Sequence, residues 1–457
     1  MLQSLKAQTM AKFFGTDGVR GLVNTGKMTP ASMLRLGQIA GQYFVDENGA
    51  RASAVIGKDT RMSGDMIEAA LIAGMTSAGM DVKRVGVMPT SGVSLMTKEL
   101  QADLGVMITA SHNKYPDNGV KFFGPDGCKL SDEVEADIEA IIAGGASELV
   151  DSADLGRVTS VDGLQARYIE LCKSTLPAGQ KLDGLKIIID AAHGAAYATA
   201  AETLRQLGAE TVIPIGVAPT GDNINAGCGS TATDLLSETV VVYGADVGVA
   251  LDGDADRLIM CDENGKIIDG DQLLGLIATS WKAQGRLKKP GIVATVMSNL
   301  GLERYLETHD MQLIRTAVGD RHVAARMRKE GYNVGGEQSG HLLMTDYSPT
   351  GDGTMAAIQI LAEIKRQGRP ASVVLDVFEP VPQILKNVRY EGASPMDHPD
   401  LLSAVEAAKD ELAGEGRVLI RASGTEPLIR VMVEGTDAKK MQSKADEFVA
   451  LIESLVI

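Results

Sequence analysis

Three times along the chain a short aliphatic, β-branched run gives way to a polar or glycine-bearing turn and then to a helix-period pattern. The instances are ASAVIGKDTR before MIEAALIAGMTSAG, LKIIIDAAHG before AYATAAETLRQLG, and GIVATVMSNL before GLERYLETHD. A buried strand followed by an amphipathic helix is βα grammar, so the pattern predicts three α/β units with open sheets. In such sheets ligands gather at the carboxyl ends of the strands. The three stretches barely match in sequence, so they predict a related build and leave duplication undecided. After about residue 376 the texture changes to a strand-like VPQILKNVRYEG, a helix-like HPDLLSAVEAAKDELA, two strands in RVLIRASGTEPLIRVMVEG and a closing amphipathic AKKMQSKADEFVALIESLV. This reads as a smaller α+β domain. A chain of 457 residues exceeds what one core supports, and boundaries are expected near 163, 264 and 376, giving domains 10–163, 164–264, 265–376 and 377–457.

Composition narrows the function class. With 44% hydrophobic and 23% charged residues the chain is an ordinary globular one. A net charge of −16 disfavours nucleic acid and anionic membrane as partners, because an acidic surface repels the phosphate backbone. A phosphorylated ligand must therefore meet a local basic pocket. Cys128, Cys172, Cys228 and Cys261 are far apart and form no CxxC pair, so they are expected to be free thiols in a reducing compartment. No apolar run is long enough to span a membrane, and MLQSLKAQTM lacks the core of a signal peptide, which makes the cytoplasm the expected location. Patterned sequence begins at AKFFGTDGVRG, so Met10 is a candidate start.

Four loops carry chemistry. In ADLGVMITASHNKYPDNGVKFF an apolar strand runs into a loop bearing Ser111, His112, Asn113, Lys114, Asp117, Asn118 and Lys121. A hydroxyl held at a strand end among basic and amide groups suits a transferable phosphoryl group, although a lone serine there would be an ordinary turn residue. In VGVALDGDADRLIMCDENG an apolar run delivers Asp252, Asp254 and Asp256 at alternate positions, followed by Arg257. Such carboxylates can converge on one hard cation, Mg²⁺, Ca²⁺ or Mn²⁺, with a solvated acidic turn as the alternative. An EF-hand is excluded, because Arg257 stands where that loop needs glycine and the flanks are strand-like.

YNVGGEQSGHLLM is a glycine-rich turn with Glu337, Ser339 and His341. Glu and Ser can hold vicinal sugar hydroxyls, while a satisfied core histidine is the commoner explanation for His341 taken singly. In RVLIRASGTEPLIRVMVEG two strands bracket Arg421, Ser423, Gly424, Thr425 and Glu426, with Arg430 beyond. Backbone N–H groups, two hydroxyls and two arginines form an anion nest, with a plain hairpin as the alternative. Arg20 in FGTDGVRG could clamp a phosphate or the serine loop, and Asp320, Arg321 and His322 in TAVGDRHV are ambiguous by themselves.

Serine, metal, sugar and phosphate loops in this order, one per domain, resemble the α-D-phosphohexomutase superfamily. TASHN, DGDADR, GGEQSGH and RASGTEPLIRVMVE carry the likeness, which extends from Phe13 to the C-terminus. GEQSGH and RVMVEG tilt it toward the glucosamine branch. Lys114 and Pro116 in HNKYPDN depart from the HNPY of many relatives.

The resemblance implies a four-domain, heart-shaped enzyme. Three related α/β domains with mixed sheets and a smaller C-terminal α+β domain would surround a central cleft. The domains would carry, in order, the phosphoserine, metal-binding, sugar-recognition and phosphate-binding loops. It further implies phosphorylation of Ser111, and one Mg²⁺ on Asp252, Asp254, Asp256 and a phosphoserine oxygen. Lys121 and Arg257 would assist proton transfer and charge stabilisation, with His341 near the reacting group and Arg20 among the catalytic set. His112, Glu337 and Ser339 would contact the sugar substrate, and Arg421, Ser423, Gly424, Thr425 and Arg430 would grip the phosphate that is not reacting. The implied reaction interconverts glucosamine 6-phosphate and glucosamine 1-phosphate through glucosamine 1,6-bisphosphate, supplying UDP-N-acetylglucosamine synthesis, with homodimerisation expected. The general base stays open among Lys121, His341 and the Asp320–His322 segment.

Overall fold

The protein is described from a computed structural model, which covers residues 13–15, 17–48, 51–144, 149–392, 394–423 and 427–456. Met10, Gly424 and Thr425 lie outside the described residues.

Four sheets follow one another along the chain. The first comprises β1 (Val19–Leu22), β2 (Ser53–Lys58), β3 (Asp81–Val87), β4 (Leu104–Ile108), β5 (Asp117–Phe123) and β6 (Val158–Ser160), in spatial order β1-β5-β4-β2-β3-β6. The second comprises β7 (Lys186–Asp190), β8 (Thr211–Ile215), β9 (Val247–Leu251), β10 (Leu258–Asp262) and β11 (Ile267–Ile268), in order β11-β10-β9-β7-β8. The third comprises β12 (Gly291–Thr295), β13 (Gln312–Thr316), β14 (Val334–Gly336) and β15 (Leu342–Met344), in order β13-β12-β14-β15. The last, from β16 (Gln383–Arg389), β17 (Gly416–Ala422) and β18 (Leu428–Gly435), is antiparallel throughout, with β18 central.

A single plan underlies the first three. In each, the first strand (β2, β7, β12) lies between the second (β3, β8, β13) and third (β4, β9, β14), parallel to both. The fourth (β5, β10, β15) then pairs antiparallel with the third. Helices Gly64–Ser77, Ala200–Gln206 and Leu300–Thr308 make the first crossover, and Thr90–Glu99, Asp234–Tyr243 and Asp320–Glu330 the second. The expected mixed-sheet α/β units are therefore present, each a β-α-β-α-β-β chain. Their inner strands are apolar because both faces are covered: every residue of β4, β9 and β12 is buried.

One hydrophobic core runs through all three units, from Val55 and Met107 through Ile187 and Val249 to Ile292 and Ile358. The C-terminal domain has its own, built on Val388, Ile429, Val431, Phe448 and Ile452. Buried polar groups tie the units together. Asp352 caps helix Gly353–Gln367 by accepting from Met355 N at 2.8 Å, an interaction typically worth about 1 kcal/mol. It also receives Ser91 Oγ at 2.6 Å and Tyr168 OH at 2.8 Å, from the first unit and the helix that follows it. Arg417 of the C-terminal sheet pairs with buried Glu434 and donates to the carbonyls of Val296 and Ser298 at 2.8 Å each. All four cysteines are free. No described helix is long and apolar enough to cross a membrane.

Candidate active site

The shared topology explains why the loops meet. Ser111 lies between β4 and β5, Asp252 to Asp256 between β9 and β10, and Glu337 to His341 between β14 and β15. Each is the connection from the third to the fourth strand of its unit, so three related units present the same corner to one centre. Ser111 Oγ donates to Asp252 Oδ2 at 2.6 Å, and Arg257 bridges to His341 through backbone pairing. Ser111 has φ 51°, a left-handed conformation that costs a non-glycine residue roughly 1–2 kcal/mol. The metal loop approaches it closely at Gly253, where a Cβ would stand 2.6 Å from the Ser111 carbonyl oxygen. No other residue fits there without displacing one of the two loops.

Asp252, Asp254 and Asp256 are buried and offer carboxylate oxygens within 4.8 Å of one another. Burial first, then the neighbouring Asp256 and Asp254 charges, push the Asp252 carboxyl up to about 8. Asp254 Oδ1 is buried without a hydrogen-bond partner, and Asp256 Oδ1 has only the His341 ring nitrogen 3.5 Å away. Crowded anions with unengaged lone pairs inside a protein fit a hard divalent cation, which would relieve both the repulsion and the unsatisfied oxygen. The other oxygen of Asp254 is engaged by Lys121 Nζ at 2.8 Å and Thr90 Oγ1 at 2.7 Å.

Beyond the triad the charges alternate around a closed ring. Lys121 Nζ contacts Asp256 at 2.8 Å and Asp17 at 3.3 Å. Lys129 bonds Asp17 and reaches Asp320 Oδ2 at 2.5 Å. His341 lies with Nε2 3.3 Å from Asp320 and Nδ1 3.5 Å from Asp256, which returns to Lys121. Burial opposes charge at every member, yet the neighbours prevail. Lys121 and Lys129 hold Asp17 well below the usual carboxylate range, while Asp256 and Asp320 lift His341 to about 9. The ring takes members from all three α/β units.

Arg20 pairs with Asp17 from β1, where it stands opposite Gly119. It therefore sits on a strand just after the Gly-Thr-Asp-Gly stretch; β1 has four residues and too little alternation to be read from sequence. Arg20 Nε and Arg257 Nε are buried and unpartnered, leaving donors for an anionic group inside the site. His112 Nδ1 is 3.4 Å from Ser111 Oγ, and burial with Arg257 and Arg20 lowers this imidazole to about 4. Glu337 Oε1 accepts from Gly319 N at 3.0 Å, joining the sugar-loop candidate to the segment before Asp320. Ser339 is exposed at the tip of its turn, and His322 is exposed and outside the ring.

Arg421, Ser423 and Arg430 form a second group on the β17–β18 hairpin. The two arginines face each other across the strands, and each has a buried, unpartnered Nε. Burial and the Arg430 charge lower the Arg421 guanidinium. No acidic partner neutralises this pair among the described residues.

Asp17, Thr90 and Lys129 escaped the sequence reading. Each is a single polar residue in an ordinary local sequence, and the contacts that join it to the site come from distant stretches of chain.

Four profiles of the phosphoglucomutase/phosphomannomutase family match the chain: alpha/beta/alpha domain I over residues 11–148, domain II over 166–265, domain III over 269–381 and the C-terminal domain over 385–451. The phosphoglucosamine mutase of Phenylobacterium zucineum is 54% identical over 444 residues, covering 97% of this chain and 98% of that protein. That of Sphingopyxis alaskensis is 55% identical over 437 residues, covering 96% and 98%. In fold, the chain is similar to a phosphoglucomutase/phosphomannomutase family protein from Burkholderia thailandensis, with a TM-score of 0.82 at 21% identity over 97% of both chains. It is similar too to the N-acetylphosphoglucosamine mutase of Aspergillus fumigatus solved with GlcNAc-6P and magnesium, with a TM-score of 0.68 at 17% identity over 97% and 96%. With four domain profiles in sequence and relatives more than half identical along nearly its whole length, the chain belongs to the phosphoglucosamine mutase family.

Proposed function

We propose that the protein interconverts glucosamine 6-phosphate and glucosamine 1-phosphate through a phosphorylated Ser111 and a 1,6-bisphosphate. The product would feed UDP-N-acetylglucosamine synthesis. The observation that carries this reading is Ser111 Oγ bonded at 2.6 Å to a buried carboxylate triad, with Lys121 and Lys129 of the first unit, Arg257 of the second and His341 of the third around it. Asp252, Asp254, Asp256 and a phosphoserine oxygen would hold one Mg²⁺. When bound, it would offset charge on the transferring phosphoryl group.

The chain's own residues supply positioning and electrostatics, which is most of what phosphoryl transfer needs. A free sugar hydroxyl attacks phosphorus, the bond to Ser111 Oγ breaks, and the resulting bisphosphate turns over to return its other phosphoryl group to Ser111. Arg20 and Arg257, with spare buried donors, would orient the reacting group. Proton traffic falls to Lys121, His341 or Asp320, which the ring joins. Glu337 and Ser339 would hold sugar hydroxyls and His112 the substrate. The Arg421–Arg430 pair, with Ser423, Gly424 and Thr425, would grip the phosphate at rest, accepting either end of the ligand.

The test is conversion of glucosamine 6-phosphate with Mg²⁺ and a trace of bisphosphate, with Ser111→Ala beside wild type and glucose 6-phosphate as competitor. Turnover by wild type alone, favouring the amino sugar, is expected. Activity in Ser111→Ala would refute the phosphoserine route, and preference for glucose 6-phosphate would move the protein to another branch of the family.

A further inference from the structure

The loop that carries Ser111 is held from beneath by a side chain that no step of the reaction uses. Arg61, three residues beyond the end of β2, has a fully buried side chain. A guanidinium has five N–H donors in a fixed fork, and here all five are engaged. Nε donates to Asp59 Oδ2 at 2.8 Å, Nη1 to the carbonyls of Lys114 at 2.7 Å and Asp117 at 3.0 Å, and Nη2 to those of Ser111 at 2.9 Å and Asn113 at 2.7 Å. Its charge is met by Asp59, and it has no donor left for a phosphate. It can act only on the loop.

The same loop is gripped from two other sides. Asp59 Oδ2 accepts from Thr109 Oγ1 at 2.7 Å, and that hydroxyl accepts from Ser111 N at 2.9 Å, so the N–H and the C=O of Ser111 are both tied to the Asp59–Arg61 pair. From the second unit, Asn225 Nδ2 donates to the carbonyls of Ser111 at 2.8 Å and Asn113 at 3.0 Å. A left-handed backbone at a non-glycine residue persists only when its surroundings over-determine it. Arg61, Thr109 and Asn225, all bonded to the backbone of this one residue, do so.

We infer that Arg61 and Asn225 are positioning residues. Together they lock the left-handed Ser111 so that its Oγ points at the metal carboxylates, and Asn225 makes this depend on docking of the first two units. The inference rests on the phosphoserine role proposed for Ser111.

Arg61→Lys, with three donors in place of five, and Asn225→Asp, of the same shape but presenting an acceptor to two carbonyls, test it in the full-length protein. Thermal unfolding establishes that each folds. Intact-mass sampling of Ser111 phosphorylation by glucosamine 1,6-bisphosphate gives the rate of the first transfer, and steady-state assays give kcat and KM. The expected result is a roughly 100-fold fall in both the phosphorylation rate and kcat with KM within about threefold of wild type, as misplacement of a reacting atom produces. A merely structural role would lower the unfolding midpoint and leave the rates of folded protein unchanged, which would overturn the inference. If Arg61→Lys does not fold, Asn225→Asp decides alone, and wild-type rates in it overturn the proposal. A wild type that accepts no phosphoryl group on Ser111 would instead remove the phosphoserine reading and this inference with it.

Discussion

Lys129 and Asp320 meet at 2.5 Å although 191 residues separate them, one from the first unit and one from the third. Through Asp17 on one side and His341 on the other, this contact closes the charge ring around the triad. Both side chains are nearly buried, so each charge relies on its two neighbours in the ring for compensation.

Lys129→Met should therefore cost about 1–3 kcal/mol, because Asp17 and Asp320 lose the cation they share and keep only Arg20 and Lys121 on one side and His341 on the other. Lys129→Met combined with Asp320→Asn should recover part of that loss, since the second change removes one stranded charge. Denaturant unfolding of the two single variants and the double variant checks this. Strictly additive losses would show that the contact carries no coupling.

Arg421 and Arg430 pose the opposite case, two like charges placed opposite each other. Such pairs are destabilising across neighbouring strands. Arg430→Met should leave the ligand-free protein as stable as wild type or up to about 1 kcal/mol more so. In the same variant KM for the sugar phosphate should rise at least about tenfold, the loss of one charge-assisted hydrogen bond. Inorganic phosphate should raise the unfolding midpoint of wild type more than that of the variant. Unchanged KM would separate the hairpin from substrate binding.

How much of this was legible in the sequence follows from the range of the interactions involved. LGVMI, VGVAL and GIVAT could be read as strands because burial on both faces makes them continuously apolar. Ser111 and the three aspartates could be read because they stand where such strands stop. Asp17 and Lys129 could not, since nothing local distinguishes an aspartate in GTDG or a lysine in GPDGCKL from solvated turn residues; their role exists only once the units pack. Arg61 was visible as the end of a strand motif, but the five acceptors that define it come from Asp59 and a loop some fifty residues on. The common strand order was equally hidden, because equivalent burial can be met by unrelated aliphatic sequences.

Asp271 should make stability depend on pH. Burial first, then the neighbouring Asp269 charge, push its carboxyl up to about 7, and its Oδ1 is buried and unpartnered, as is Ser298 Oγ. A carboxyl whose folded pKa is raised binds more protons folded than unfolded, so stability falls as pH rises from about 4 to about 7. The full cost, of the order of a few kcal/mol, is present above that window and absent below it. Asp271→Asn should remove this slope and stabilise the protein at pH 8, its amide supplying a donor to the unpartnered side while the Asn299 N–H keeps its acceptor. Unfolding midpoints of both proteins between pH 5 and pH 8 check it; parallel curves would show that Asp271 is not the group responsible.

The triad makes the last prediction, in which activity should fall far more than stability. Three buried carboxylates packed within 4.8 Å repel one another in the metal-free protein, and Asp254 Oδ1 lacks a partner. Millimolar Mg²⁺ should therefore raise the unfolding midpoint and a chelator should abolish turnover. Asp256→Asn should remove one source of repulsion while weakening the site, so the Mg²⁺-induced rise should shrink sharply and kcat should fall at least about 100-fold. The metal-free variant should lose less stability than breaking a buried ion pair alone would suggest, because the repulsion relieved at Asp252 offsets the weaker attraction that an amide exerts on Lys121 and His341. Calorimetry with and without Mg²⁺, beside the steady-state assay, reads both quantities. An undiminished Mg²⁺ shift in Asp256→Asn would mean that the ion binds elsewhere in the protein.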